Sequence, residues 1–390
     1  MLLAPAEAAP VRALVSMPMA PRGVGMTCRS ILTGAAGAGY PLSLFTMRNV
    51  PDERTSALPV QTPVPFLLRH MPYPIMSRFV GHALLHTAFL DALADGDIAY
   101  LWPSVPVRVY EQVAERGIPI VIDAVNTRMK VARALLDAEY DRLGLPPGHG
   151  ITDLRIARQE ARMSMASAIF TPSPATEAAL AGTPLETSHI RTSYGTWVTP
   201  SAPLRAPKKK KGQPVTFLFV GTASVRKGSH VLLEAWRRVP DWMRLRLVGD
   251  IEPGLSRVFA DVLGRSNVDH VPFTLNVTPE FDRADVFVLP SIEEGDSIVT
   301  YEAADRGLPI LASPMGAGRM GAESGAICLI DPYDADGFAE ALHLFAASDD
   351  LRHEWGALGR RAVLDYDWSL VGPRSFAALH RFFGDRARGG

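Results

Sequence analysis

Short apolar runs, rich in β-branched and aromatic residues, recur along the first half of the chain: VRALVSM from Val11 to Met17, then PLSLFTM, DIAYLW, IPIVIDAV and SAIFTPS. Between them lie longer segments, 77–94, 105–116, 129–142 and 153–165, where apolar residues return every three or four positions as on one face of a helix. The order strand, glycine-bearing stretch (PMAPRGVGMTC), helix opens the series. Strands alternating with helices predict right-handed crossovers and a parallel sheet covered on both faces. The pattern then lapses over TWVTPSAPLRAPKKKKGQP, which has no periodic apolar face and reads as a linker at 201–213, its lysine run a solvated charge cluster. From VTFLFVG the alternation restarts, with the helix HVLLEAWRRV, the strand LRLVGD, a helix LSRVFADVLG, then DHVPF, ADVFVLP, a helix from about Ile298, LPILAS and AICLI. A helix-like tail covers 368–383. The expected fold is α/β: two doubly wound parallel-sheet domains facing a cleft, at 1–200 and 214–367, with 368–390 free to pack elsewhere than on its own domain.

Length supports two cores, because a single hydrophobic core stops growing at roughly 250–300 residues and this chain has 390. Forty Lys and Arg against 41 Asp and Glu leave a net charge of -1, which removes the broad positive field of nonspecific nucleic-acid binders, so any anion site must be local. Two cysteines, Cys28 and Cys328, supply neither a disulfide framework nor a thiolate metal cage. The first residues make a poor secretory signal and no apolar stretch reaches membrane-spanning length, so the expected location is cytoplasmic, with peripheral membrane contact left open. His82 and His86 lack a third ligand nearby, and no metal site is expected. Trp236 and Trp368 read as packing residues. Only six of the basic residues are lysines, four of them in the linker run, which leaves Lys227 the sole lysine after Gly212.

Open parallel sheets bind ligands beyond the C-terminal ends of their strands. Three such turns carry chemistry. GTASVRKG, Gly221 to Gly228, leaves a strand and enters a helix with Arg226 and Lys227 between two glycines, a composition suited to a diphosphate although not a Walker loop. PSIEEGDSIVTYEAADRGLPI places Glu294 in a loop at a helix mouth and Glu302 about one turn inside that helix, both expected to face one cleft and to accept hydrogen bonds from sugar and ribose hydroxyls. APRGVGMT offers Gly23 and Gly25 for close backbone approach to an anion from the first domain, without the third glycine of a dinucleotide fingerprint.

On FVGTASVRKGSHVLLEAW, LRLVGD and DVFVLPSIEEGDSIVTYEAADRGLPILAS, with DPYDADGFAEAL and YDWS following, the second half resembles the donor domain of retaining glycosyltransferases of family 4, whose GT-B architecture pairs two Rossmann-like domains. The seven residues between Glu294 and Glu302 reproduce that family's two-glutamate spacing. The resemblance implies a metal-independent transfer of a sugar from a nucleoside diphosphate sugar, acting as co-substrate and not as a resident cofactor, to an unidentified acceptor: a glycan, a lipid or a small molecule. It implies catalytic roles for Glu294, Lys227 and Arg226, and a donor site built from Gly25, Gly221, Arg226, Lys227, Glu294, Gly295, Asp296, Ser297, Ile298 and Glu302. In that family the last helix crosses back to the first domain. The chain departs from the pattern at three points: Thr222 stands where relatives place arginine, Asp296-Ser297 replaces Phe-Gly and brings an extra carboxylate expected near the donor sugar, and DAVNTRMK has Asn126 and Arg128 but no histidine. Two alternatives stay open at this stage: an epimerase or phosphorylase on the same fold, and a relative that binds a nucleotide sugar without turning it over.

Overall fold

In the computed structural model of the chain, which describes residues 8–17, 19, 23–49, 57–65, 81–199 and 213–389, the apolar runs form two sheets in which every paired strand is parallel to its neighbours. The expected linker, with its lysine run, falls outside the described residues apart from Gln213. The first sheet has seven strands: β1 (Val11–Val15), β2 (Leu42–Thr46), β3 (Val60–Gln61), β4 (Ile98–Leu101), β5 (Ile120–Asp123), β6 (Ala168–Thr171) and β7 (His189–Arg191), in the order β3-β2-β1-β4-β5-β6-β7. The second has six: β8 (Thr216–Val220), β9 (Arg244–Val248), β10 (Val268–Val271), β11 (Val286–Leu289), β12 (Ile310–Ala312) and β13 (Cys328–Leu329), in the order β10-β9-β8-β11-β12-β13. Each order reverses direction next to its first strand, at β1/β4 and β8/β11, and such switch points open crevices at the carboxyl ends of the strands. Two short edge strands, β3 and β7, have no counterpart in the sequence reading.

The helices Met129–Arg142 and Asp153–Met165 occupy the ranges their periodicity predicts. The stretch LSRVFADVLG does not form the single helix expected of it. It breaks at Phe259 (φ -113°, ψ 27°) into Pro253–Val258 and Ala260–Leu263, and the Phe259 ring is wholly buried, so a core contact outweighs helical continuity. Trp236 and Trp368 are buried, as packing residues should be. Among the described residues, no helix is long and apolar enough to cross a membrane and no group of His, Cys, Asp and Glu could hold a metal ion.

The two domains touch along a long seam. The helix Trp368–Gly389 leaves the second domain and lies on the helix Gly23–Gly37 of the first, with Gly34 and Gly372 at the crossing, where an added Cβ on either would fall on the partner backbone. The chain passes between domains where Thr196 bridges Asp367, and Gly195 leaves no room for a Cβ against the Tyr366 carbonyl. Arg319, from the second domain, is buried and donates to the carbonyls of Thr192 and Thr171 of the first (both 2.9 Å) and to the Glu177 carboxylate.

Candidate active site

The turn after β8 takes its shape from its glycines. Gly221 (φ 132°) and Gly228 (φ 65°) adopt backbone angles that other residues avoid, and a Cβ on Gly228 would meet the Pro290 carbonyl. This close approach seats the turn on the loop after β11: the Arg226 carbonyl accepts from the amides of Ile292 (2.9 Å) and Glu293 (3.2 Å). Gly228 then leads into the helix Ser229–Trp236.

Seating the two loops together assembles the charged cluster. The Lys227 ammonium pairs with Glu294 Oε1, which also accepts from the Ser291 hydroxyl at 3.3 Å. Arg226 Nη1 lies 3.4 Å from Glu294 Oε2 and 3.5 Å from Glu293 Oε2. Burial acts to raise the pKa of Glu294, but the two cations outweigh it and hold the carboxyl below its ordinary value. Burial lowers Lys227, and Glu294 only partly offsets this. Burial raises Glu293. The arrangement is two cations serving two buried acids at the end of a sheet, an electrically compact group able to exchange one internal partner for an anionic ligand.

Glu293 went unnoticed in the sequence, although it stands beside Glu294 and is 2 % exposed. It accepts from the Thr127 amide at 2.8 Å, while the Thr127 hydroxyl donates to the Glu294 carbonyl at 3.0 Å, so the turn after β5 in the first domain grips the acidic loop of the second. A Cβ on Gly295 would fall on the Val125 carbonyl, which accounts for glycine there. The segment DAVNTRMK thus serves as the first domain's wall of the site: Asn126 and Arg128 line a cavity of about 740 Å³ between the domains, together with Thr222, Ser224, Arg226 and Glu293. Asp123 also lines it, buried, accepting from Tyr100 and Tyr194 hydroxyls (both 2.6 Å) and pushed up by burial to a pKa of about 6.

The remaining expected residues are placed as follows. Gly221 ends β8 with its would-be Cβ 3.9 Å from the Lys227 Cε. Ser297 precedes the helix Ile298–Asp305, and its buried hydroxyl finds no hydrogen-bond partner among the described residues. Gly25 lies buried in the first turn of the helix Gly23–Gly37, next to Val24, which lines the cavity; residues 20–22 are outside the described set. Asp296, the extra carboxylate expected near the donor sugar, is engaged in contacts between the two domains. It is buried, with Oδ2 accepting from the Tyr194 amide (2.8 Å) and Tyr301 hydroxyl (2.7 Å) and Oδ1 from the Arg319 amide (3.2 Å), and burial raises its pKa to about 7. It joins the domains. Glu302 stands on the helix Ile298–Asp305, outside the Lys227–Glu294 cluster; burial raises its pKa to about 7, and its carboxylate makes no hydrogen bond or ion pair with a described residue. His86 Nε2 lies 2.8 Å from the Ser16 hydroxyl.

Residues 214–347 match the family model "Glycosyl transferases group 1". In sequence the chain is similar to a phosphatidyl-myo-inositol mannosyltransferase of Mycobacterium leprae, 34 % identical over 182 residues that cover 44 % of this chain and 47 % of that protein. The chain thus spans about half the length of the relatives it matches. In structure it is similar to a sucrose-phosphate synthase from Thermosynechococcus elongatus (TM-score 0.70, 19 % identity, 98 % of this chain and 100 % of the other). It is also similar to Anabaena HepE in complex with UDP-glucose (TM-score 0.62, 14 % identity, 95 % and 98 %). Residues 214–347, most of the second domain, are thus similar to group 1 glycosyl transferases, and the whole chain has the GT-B architecture.

Proposed function

We propose that this chain transfers a sugar, with retention of configuration, from a nucleoside diphosphate sugar to an acceptor hydroxyl held mainly by the first domain. The observation that carries the reading is the Lys227–Glu294–Arg226 cluster at the carboxyl end of the second sheet, on the turns where a diphosphate and a sugar would meet. In this reading the diphosphate takes over Lys227 and Arg226, whose charge stabilises the leaving nucleoside diphosphate as the anomeric bond breaks. Glu294, released from Lys227, then accepts hydrogen bonds from hydroxyls of the transferred sugar, and Glu302, whose carboxylate has no hydrogen-bond or ion-pair partner among the described residues, accepts from the ribose. The UDP-glucose in the HepE complex is a ligand of the chemical class this site would take. The two free thiols, Cys28 and Cys328, support a reducing compartment such as the cytoplasm.

A thermal-shift screen of the whole chain against UDP-, GDP- and ADP-sugars tests donor binding, since a ligand bound only by the native state raises Tm. At least one donor should stabilise the wild type and lose that effect in Lys227→Ala and Glu302→Ala; a screen without any stabilising donor rejects the reading. A second reading, binding without turnover, is favoured by Thr222 and by the histidine-free wall at 123–128. It predicts the same thermal shift with no product from any acceptor.

A further inference from the structure

The cavity between the domains carries cationic charge that the donor reading does not use. Four arginines line it. Arg226 pairs with Glu293 and Glu294, and Arg128 forms a two-pronged bridge to Glu160 (2.7 Å for both nitrogens). Arg155 and Arg162 form no ion pair with any described residue. Both stand on the helix Asp153–Met165, and their seven-residue spacing is about two turns, so they share one stripe about 10 Å long, with Gln159 between them also lining the cavity. Arg158 adds a third guanidinium on that helix without a carboxylate partner among the described residues.

Each guanidinium on the cavity wall is fixed by backbone and keeps donors to spare. Arg162 Nη1 donates to the carbonyls of Pro103 and Val105, its Nε donates to the Arg158 carbonyl at 3.1 Å, and its Nη2 has no partner among the described residues. Arg155 Nη1 donates to the Gly150 carbonyl at 2.8 Å. Burial, together with the like charges of Arg158 and Arg155, depresses the pKa of Arg162 despite the favourable field of Tyr110. Held positive charge in a cleft, with no ion pair among the described residues, matches an external anion, and the planar fork of arginine suits a phosphate. Of the three acids that line the cavity from the second domain, Asp250 is exposed, while Glu293 is engaged by Thr127 and Arg226, and Glu252 by the Tyr140 hydroxyl (2.5 Å) and the Val225 amide (3.0 Å). Arg155 and Arg162 on one wall, and Arg226 and Glu293 beside the donor cluster on the other, give the cavity a direction.

We propose that Arg155 and Arg162 form an anion subsite for the acceptor, so that the acceptor of this enzyme is a phosphorylated alcohol whose phosphate lies against the helix Asp153–Met165 while its hydroxyl points toward the Lys227–Glu294 cluster. The assignment rests on the donor reading above for which wall faces the transferred sugar. A soluble polyol phosphate and a lipid headgroup both offer this phosphate; the shared chemistry is the monoanionic or dianionic phosphoryl group.

The test is calorimetry on the whole chain with glycerol 3-phosphate and ribose 5-phosphate, each against its unphosphorylated parent, with and without saturating UDP, GDP or ADP. Wild type should bind at least one phosphorylated probe about tenfold or more tighter than its parent, as a charge-assisted pair of hydrogen bonds provides. Arg155→Gln plus Arg162→Gln should erase that preference, while Lys227→Met should keep it and lose nucleoside diphosphate binding instead. Because Arg162 also holds three backbone carbonyls, the exposed single variant Arg155→Gln and the charge-preserving Arg162→Lys accompany it; the first should weaken the phosphorylated probe several-fold and the second should bind better than Arg162→Gln. Sedimentation with phosphatidylcholine vesicles containing phosphatidylinositol or lacking it separates the sources: vesicle binding lost with the two arginines supports the subsite on a lipid headgroup, and soluble-probe binding lost with them supports it on a free phosphate. Phosphorylated probes and anionic vesicles bound no better than their neutral counterparts, or bound equally by the arginine variants, would overturn the subsite. Loss of nucleoside diphosphate binding in wild type alone would remove the donor reading and leave the subsite standing.

Discussion

Lys227 and Glu294 should be energetically coupled, and the structure sets the size of the effect. Their side chains are 13 % and 7 % exposed, so neither charge can turn to bulk water when its partner is removed. Stripping one member from a buried ion pair costs about 3–5 kcal/mol when the survivor is left alone. Here Glu294 is not left alone in Lys227→Met, because Arg226 lies 3.4 Å from Oε2 and Ser291 donates at 3.3 Å, so the expected cost falls to about 2 kcal/mol. Lys227 in Glu294→Gln keeps an amide oxygen but no contacting carboxylate, and its cost should be about 3 kcal/mol. The double variant Lys227→Met with Glu294→Gln buries no unmatched charge from this pair and should be less destabilised than the sum of the singles by about 1–3 kcal/mol. Calorimetric unfolding reads this directly, since each single should lower the transition of the second domain by about 4–12 °C. Glu294 is held below its ordinary pKa in the folded state, so its share of wild-type stability is present above the unfolded carboxyl pKa and lost as pH falls through the depressed folded value. The Lys227→Met protein should therefore lose less stability than wild type on acidification. Strictly additive singles, or singles that melt with wild type, would show that the pair carries no coupling and that the cluster is not the electrostatic unit described above.

Other outcomes follow from single positions. Gly295→Ala should push the acidic loop away from Val125, weaken the Thr127 contacts and cost about 1–3 kcal/mol, read by denaturant titration, with a larger radius of gyration in solution scattering; an unchanged radius and stability would contradict the contact. Glu302 has its folded pKa raised to about 7, so the folded protein holds a proton the unfolded chain has released, and stability falls as pH rises from the ordinary carboxyl value to about 7. Glu302→Gln should accordingly match wild type near pH 4.5 and exceed it at pH 8 by about 1–3 kcal/mol, whereas equal stability at pH 8 would remove the burial cost. Gly372→Ala should overpack the crossing with Ile31 and Ala35, costing about 1–3 kcal/mol and making the last helix more sensitive to limited proteolysis; proteolysis at the wild-type rate would speak against that close approach.

What the sequence disclosed was what neighbours along the chain decide. Strand after strand was visible because burial on both faces of a parallel sheet demands an uninterrupted apolar run, and the Gly221 to Gly228 turn was visible because only glycine accepts its backbone angles. Glu294 and Lys227 were brought together by the fold as expected. Glu302 was not brought into their cluster, because a helical position fixes the direction of a side chain only relative to its own helix. Asp296 looked like a donor-site carboxylate by its place in the loop, yet its environment comes from Tyr194 and Arg319, residues far away in sequence, and no local pattern reports them. The same holds for Thr127, 166 positions from the Glu293 side chain it meets. Glu293 had one local signal, a second acid directly beside the motif glutamate.

The crossing of Gly34 and Gly372 also constrains how the molecule is made. The helix Gly23–Gly37 leaves a ribosome well before its partner Trp368–Gly389. Until those late residues emerge, nascent protein carries an uncovered face of small residues on a domain otherwise ready to close. Synthesis thus leaves an interval in which a holding chaperone would find its substrate, and a chain interrupted before residue 368 would retain that bare face permanently.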